Sequence, residues 1–277
     1  MTPLWLLGVY AYLLTWLFLP AFLQLLADGG MTANTYREVK VPVGVGLALV
    51  FITDIVLITT IPFFMQWELE VLIFMFLLNT VALLGLLDDT AGSKKIKGLC
   101  GHLRFFWYNG RLSTGLLKAA GGGLIAFFVS YLISESIASF FLNGLLIALS
   151  INTLNLLDLR PGRAVKFYVF LMALIWICVQ QAKRFYLDFI LVGAVLAYYP
   201  VDIQGRAMLG DAGANVLGAA AGIALARYLP FGLKSIVLLF CFFLHMFSEF
   251  YSLTEIIETV PLLAYIDRLG IPTKRKS

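Results

Sequence analysis

The chain has 277 residues, 61% of them hydrophobic and only 13% charged, with a formal net charge of +4 and a mean hydropathy of +0.93. A soluble domain carries about twice that share of charge and far less apolar surface, so a water-soluble fold and a disordered chain are both excluded. So small a net charge also excludes a nucleic-acid-binding module. The three cysteines, Cys100, Cys178 and Cys241, are too far apart for a disulfide framework or a zinc-ligand spacing.

A helix needs about 20 mostly apolar residues to cross the hydrocarbon core. Taken in chain order, the apolar runs predict nine crossings, over residues 3–26, 43–64, 69–87, 113–133, 139–157, 165–181, 186–200, 213–229 and 232–254. The first run lacks a basic leading region and is too long for a signal sequence, so it reads as a retained helix. Nine crossings divide the basic residues unevenly. One face holds Arg37, Lys40, Lys94, Lys95, Lys97, Arg104, Arg111, Lys118, Arg160, Arg163, Lys166, Arg206, Arg268, Lys274, Arg275 and Lys276; the other has only Lys183, Arg184, Arg227 and Lys234. Under the positive-inside rule this predicts the N-terminus outside and the C-terminus in the cytoplasm. The expectation is a single all-α integral membrane domain over residues 1–277. Its cytoplasmic loops fall at about 27–42, 88–112, 155–165 and 201–213, with a surface tail at 255–277.

The acidic residues cluster where predicted helices meet that cytoplasmic face. Asp88 and Asp89 follow an apolar run and precede Lys94, Lys95 and Lys97; Asn152, Asn155 and Asp158 precede Arg160 and Arg163; Asp211 opens a later helix. Taken singly these are ordinary helix ends, and Asp211 is a natural N-cap. Together, oxygen ligands without clustered His or Cys suit Mg²⁺, or else Mn²⁺, rather than zinc. The interleaved cations would hold phosphate, which points to phosphoryl-group chemistry on a lipid-borne substrate.

Leu-Leu-Asp88-Asp89, the stretch Asn152-Thr-Leu-Asn155-Leu-Leu-Asp158, and Gly210-Asp211-Ala-Gly213-Ala-Asn-Val-Leu-Gly218 resemble the three cytoplasmic motifs of the polyprenyl-phosphate N-acetylhexosamine-1-phosphate transferases. Val41-Pro42-Val-Gly44-Val-Gly46 is similar to that family's Pro–Gly stretch. The resemblance implies transfer of a sugar-1-phosphate from a nucleotide-diphosphate sugar, UDP-linked in the favoured case, to undecaprenyl phosphate in a bacterial cytoplasmic membrane. It implies Mg²⁺ at Asp211 and Asp158, with Asp88, Asp89 and Asp158 at the reacting phosphates. Asn152, Asn155, Lys94, Lys97, Arg160 and Arg163 would bind the substrates. The bilayer is a further expected partner, a homodimer is an open one, and no nucleic acid is expected. The chain departs from the family where Pro161 stands in place of a base-reading Asp, and where a His-rich loop would be expected, since it has only His102 and His245. Two other readings stay open: a non-catalytic relative that binds polyprenyl phosphate, and a transporter of lipid-linked intermediates.

Four further features carry weaker expectations. His245 and Glu249, four apart, could pair within the bundle. His102 is either a phosphate contact or a solvated loop residue. Asp54, inside the second predicted helix, should face the bundle interior. Phe105–Tyr108, between Arg104 and Arg111, reads as an interfacial anchor.

Overall fold

The computed structural model describes residues 4–60, 62, 68–92, 98–179 and 185–271. Lys94, Lys95, Lys97, Lys183, Arg184 and the basic residues at 274–276 therefore lie outside the described residues. Among those described, helices dominate: α1 (Trp5–Asp28), α2 (Gly46–Thr60), α3 (Glu68–Ala91), α4 (Gly98–Asn109), α5 (Thr114–Ile133), α6 (Ile137–Leu157), α7 (Arg163–Cys178), α8 (Tyr186–Ile203), α9 (Gly210–Tyr228), α10 (Phe231–Ser248), α11 (Leu253–Thr259) and α12 (Pro261–Arg268). Six of them, α1, α3, α5, α6, α8 and α10, are long and apolar enough to cross a bilayer. The protein is an all-α, multi-pass membrane protein.

Each predicted apolar span falls on a helix, but the ends differ in ways that matter. Helix α3 runs on to Ala91, so Asp88 and Asp89 sit in its last turns rather than in a loop. Helix α6 ends at Leu157 as its predicted span does, so Asn155, at the expected start of the following loop, lies in its last turn. The 88–112 segment holds a further helix, α4, and the C-terminal tail holds α11 and α12. Ser113 caps α5, its hydroxyl accepting from the Leu116 amide at 3.3 Å, and Ser136 caps α6 in the same way.

Helix α9 is the centre of the bundle. Sixteen of its residues are buried, and it packs against α2, α3, α6 and α7. Its Ala- and Gly-rich composition makes it less hydrophobic than its neighbours, but lets their backbones approach closely. A Cβ added at Gly46 of α2 would run into Gly213, and one at Gly222 would lie 2.8 Å from Ile147 Cα of α6.

A feature that sequence reading did not anticipate joins α1 to α2. Strands β1 (Thr32–Asn34) and β2 (Lys40–Pro42) form an antiparallel hairpin, turned through Glu38 at φ 60. The chain beyond β2 continues as an extended segment alongside residue 208. The Met208 amide donates to Pro42 O at 2.9 Å, and the Val45 amide donates to Met208 O at 3.3 Å. The Pro–Gly stretch thus pins the start of α2 to the start of α9.

Candidate functional site

The ends of α3 and α6 and the starts of α5 and α9 meet around one cation, Lys118. It lies just inside the capped start of α5, with its side chain 11% exposed. Its ammonium donates to Asp211 Oδ2 at 2.8 Å and reaches Asp88 Oδ2 at 3.4 Å. With the Asn155 amide turned so that its nitrogen faces Asp211, that nitrogen donates to Asp211 Oδ1 at 2.8 Å, and its oxygen accepts from Lys118 Nζ at 3.1 Å. Four residues from four helices, Asp88, Lys118, Asn155 and Asp211, therefore form one hydrogen-bonded cluster.

Asp89 does something different from its neighbour. Both of its oxygens accept backbone N–H groups at the start of α9, from Asp211 at 2.9 Å and from Ala212 at 3.1 Å. It caps a buried helix, satisfying donors that would otherwise have no partner and placing a negative charge at the positive end of the helix dipole. Gly210, at φ +68, makes this possible: a Cβ there would lie 2.6 Å from Asp89 Oδ2. Asp89, expected at the reacting phosphates, thus holds the backbone that carries Asp211.

Asp158 is the C-cap of α6, and among the described residues no hydrogen bond or ion pair reaches its carboxylate. It borders a small cavity of 40 Å³ with Tyr36, Arg160, Pro161, Asp202 and Met208. Burial, then the nearby charges of Asp202, Asp211 and Asp89, push its carboxyl well above the ordinary range. Asp88, Asp89, Asp158 and Asp211 thus share a neighbourhood with Lys118 as the only cation bonded to any of them among the described residues. This surplus of hard oxygen donors suits a divalent cation such as Mg²⁺, which takes one or two protein carboxylates and completes its shell with phosphate and water.

The remaining candidates fall elsewhere. Asn152, on α6 one turn before Asn155, is exposed along a crevice of 70 Å³ that it shares with Lys118, Gly122, Gly123 and Asn215. Arg160 and Arg163, expected to bind phosphate, both bond residues of the tail. Arg160 Nη2 donates to Glu258 Oε1 at 2.9 Å, and its guanidinium lies 4.7 Å from the Tyr36 ring centroid. Arg163 is 6% exposed. It grips Asp267 with two bonds, at 2.7 and 3.0 Å, and Thr254 with a third at 3.1 Å. Lys166 donates to the carbonyls of Ile266 and Asp267 at 2.9 and 2.6 Å, satisfying acceptors at the end of α12. The turn before α7 is fixed by Asp202, which accepts the Gly162 amide at 2.9 Å and the Tyr198 hydroxyl at 3.0 Å.

Each histidine has one ring nitrogen held by a protein acceptor or hydroxyl. His102 Nδ1 bonds Ser113 Oγ at 2.8 Å, tying α4 to the cap of α5. His245 Nδ1 is 2.7 Å from the carbonyl of Cys241 on its own helix, so its hydrogen bond is not the expected one with Glu249. Asp54 accepts from Asn79 Nδ2 at 2.8 Å, joining α2 to α3.

Sequence reading missed Lys118 as a site residue, counting it only among loop cations. Its isolation as the one charge in an otherwise apolar 20-residue helix was the available signal. Asp267 carried no local signal, because its partner lies 104 residues away, and of the partners of Asp202 only Tyr198 is local, the Gly162 amide lying 40 residues away. No family model matches the chain, and no curated protein matches it.

Proposed function

We propose that the chain transfers a sugar-1-phosphate from a nucleotide-diphosphate sugar to a polyprenyl phosphate. The observation that carries this reading is the Lys118 cluster: one part-buried ammonium held by two carboxylates from different helices, with further carboxylates beside it, at the end of a membrane bundle. In this reading a phosphate oxygen of the lipid attacks the sugar-bearing phosphorus of the donor. The P–O bond to the nucleoside monophosphate breaks, and a lipid diphosphate sugar forms.

Lys118 binds the phosphate charge, its ammonium moving from Asp88 and Asp211 toward the incoming oxygens. Asp88, freed by that exchange, positions the attacking phosphate and takes up its proton where it carries one. Asp211 and Asp158 would hold Mg²⁺, which when bound offsets diphosphate charge and stabilises the leaving phosphate. Asn155 keeps Asp211 aimed at the site, and Asp89 holds the start of α9. We further propose nine crossings, α1 to α3 and α5 to α10. The cluster then lies on the cytoplasmic face of a bacterial inner membrane, with the N-terminus outside and 16 of the 20 basic residues on the cluster side.

The test uses full-length protein in lipid nanodiscs with undecaprenyl phosphate, Mg²⁺ and a panel of UDP-, CDP-, GDP- and dTDP-linked sugars. Released nucleoside monophosphate and lipid-linked sugar are measured. One donor should give both products, and EDTA and Asp211→Asn should each abolish them. Lys118→Met should lower turnover at least about a hundredfold, the size of loss expected for a preorganised charge at a phosphoryl centre. No product from any donor, with intact folding and measurable polyprenyl-phosphate binding, would instead make this a lipid-binding protein without transferase activity.

A further inference from the structure

The four helices of the Lys118 cluster, α3, α5, α6 and α9, also frame a polar cavity at their opposite ends. It is open, has a volume of 580 Å³, and lies between the start of α3, the α5–α6 turn, the end of α9 and the start of α10. Asp211 and Arg227 stand sixteen residues apart on α9, about 24 Å along the helix axis. The cavity is therefore close to one hydrocarbon thickness from the carboxylates, at the level of the other membrane interface.

Its lining is apolar at Leu69, Ile73, Leu132 and Ile133, of which Leu69 and Leu132 are exposed at the bundle surface, and its mouth is charged. Arg227 is occupied by Glu70 at 3.3 Å. Lys234, half-buried on α10, and Glu135, exposed in the α5–α6 turn, line the same cavity, and neither has an ion-pair partner among the described residues. Asn143, on the cavity wall, is 2% exposed. Its Nδ2 donates to Ser134 Oγ at 2.9 Å, but its Oδ1 is buried without any donor. Such an orphaned acceptor costs free energy until a ligand or water supplies an N–H or O–H. Beneath the mouth, the Tyr228 hydroxyl donates to buried Asp188 at 2.9 Å and holds the end of α9 in place.

The cavity therefore combines one available cation, one available carboxylate and one unpaired buried carbonyl above apolar walls. A ligand that answers all of these carries a phosphate, a cation bearing N–H groups, and hydrocarbon chains. We propose that this cavity binds the head group of a phosphatidylethanolamine-type lipid. The phosphate sits at Lys234, the ammonium donates to Glu135 and to Asn143 Oδ1, and the acyl chains run over the exposed Leu132 and Leu69. A choline head group has no N–H to give Asn143. A phosphoglycerol head group carries no cation for Glu135.

The test is native mass spectrometry of the full-length protein released from phosphatidylcholine nanodiscs doped with equal amounts of phosphatidylethanolamine and phosphatidylglycerol. One phosphatidylethanolamine should stay bound per chain. Glu135→Gln and Lys234→Gln should each reduce its retention about tenfold, as expected for loss of one charged contact, with melting temperature unchanged. Equal retention of either competing lipid, retention unaltered in both variants, or no retained lipid would overturn the assignment. So would displacement by an equal concentration of soluble glycerophosphoethanolamine, which has the head group without the chains.

Discussion

Two charged clusters at the same end of the bundle are balanced in opposite ways. Around Lys118, carboxylates outnumber cations, and Asp158 has no bonded partner among the described residues. Around Arg163, each cation is met by an acceptor from α11 or α12: Asp267 and Thr254 for Arg163, Glu258 for Arg160, and helix-end carbonyls for Lys166. The closed cluster docks the tail, whereas the open one has charge left to give a ligand. Residue type alone could not separate them, since both are acids and bases beside helix ends. What distinguishes them is which groups remain unmatched after folding.

The largest expected effect lies in the closed cluster. Arg163→Ala leaves Asp267 buried without its partner, and breaking a buried pair from one side costs about 3–5 kcal/mol. The tail should detach, and amide exchange over residues 253–271 should rise well above that of the bundle. The same contact gives a pH dependence of known sign. Burial raises the Asp267 carboxyl, but the hydrogen bonds and charge of Arg163, helped by Lys166 and Arg160, outweigh it and hold the carboxyl below its ordinary value. A depressed carboxylate stabilises the folded state above its unfolded pKa and loses that contribution as pH falls through the lowered folded value. Tail protection should therefore be flat above about pH 4 and fall only below it. Protection that declines between pH 7 and 5 would show that another group holds the tail.

A smaller effect separates the two adjacent aspartates. Asp89→Ala removes the acceptor of two backbone N–H groups at a buried helix start and should cost about 1–2 kcal/mol. Asp88→Asn touches no backbone, so its stability change should stay under about 1 kcal/mol, while activity in the nanodisc assay is lost. Thermal denaturation of the two variants side by side decides this. Equal losses of stability would mean that Asp88 also holds the helices together.

These pairs show how far the sequence could be read. The long helices were legible because charge-free apolar runs of bilayer length have few alternatives. Their ends were not: α3 continues through Asp88 and Asp89, because the Gly92 amide still bonds Asp88 O at 2.9 Å and one of the two carboxylates finds its partners on α9. The hairpin at 32–42 has no strand-like alternation, and it forms because its continuation pairs with Met208 far along the chain. The acidic clusters were legible as a group, and the structure brings Asp88, Asn155 and Asp211 together on Lys118. The division of labour between Asp88 and Asp89, and the capture of Arg160 and Arg163 by the tail, rest on contacts spanning about a hundred residues, which no local pattern encodes.

The smallest effect tests whether the closed cluster works by burial or by charge alone. Arg160 and Glu258 form a pair at 2.9 Å, but their side chains are 30% and 46% exposed, against 6% and 11% for Arg163 and Asp267. Water screens the exposed pair, and holding two long side chains in place offsets much of its attraction, so Glu258→Gln should cost only about 0.2–1 kcal/mol. It should also weaken further in high salt, while the Arg163 contact persists. If Glu258→Gln released the tail as fully as Arg163→Ala, docking would depend on summed surface charge rather than on the buried guanidinium. Exchange at 253–271 in low and high salt distinguishes the two: a salt-insensitive tail in the Glu258→Gln variant places the clamp at Arg163.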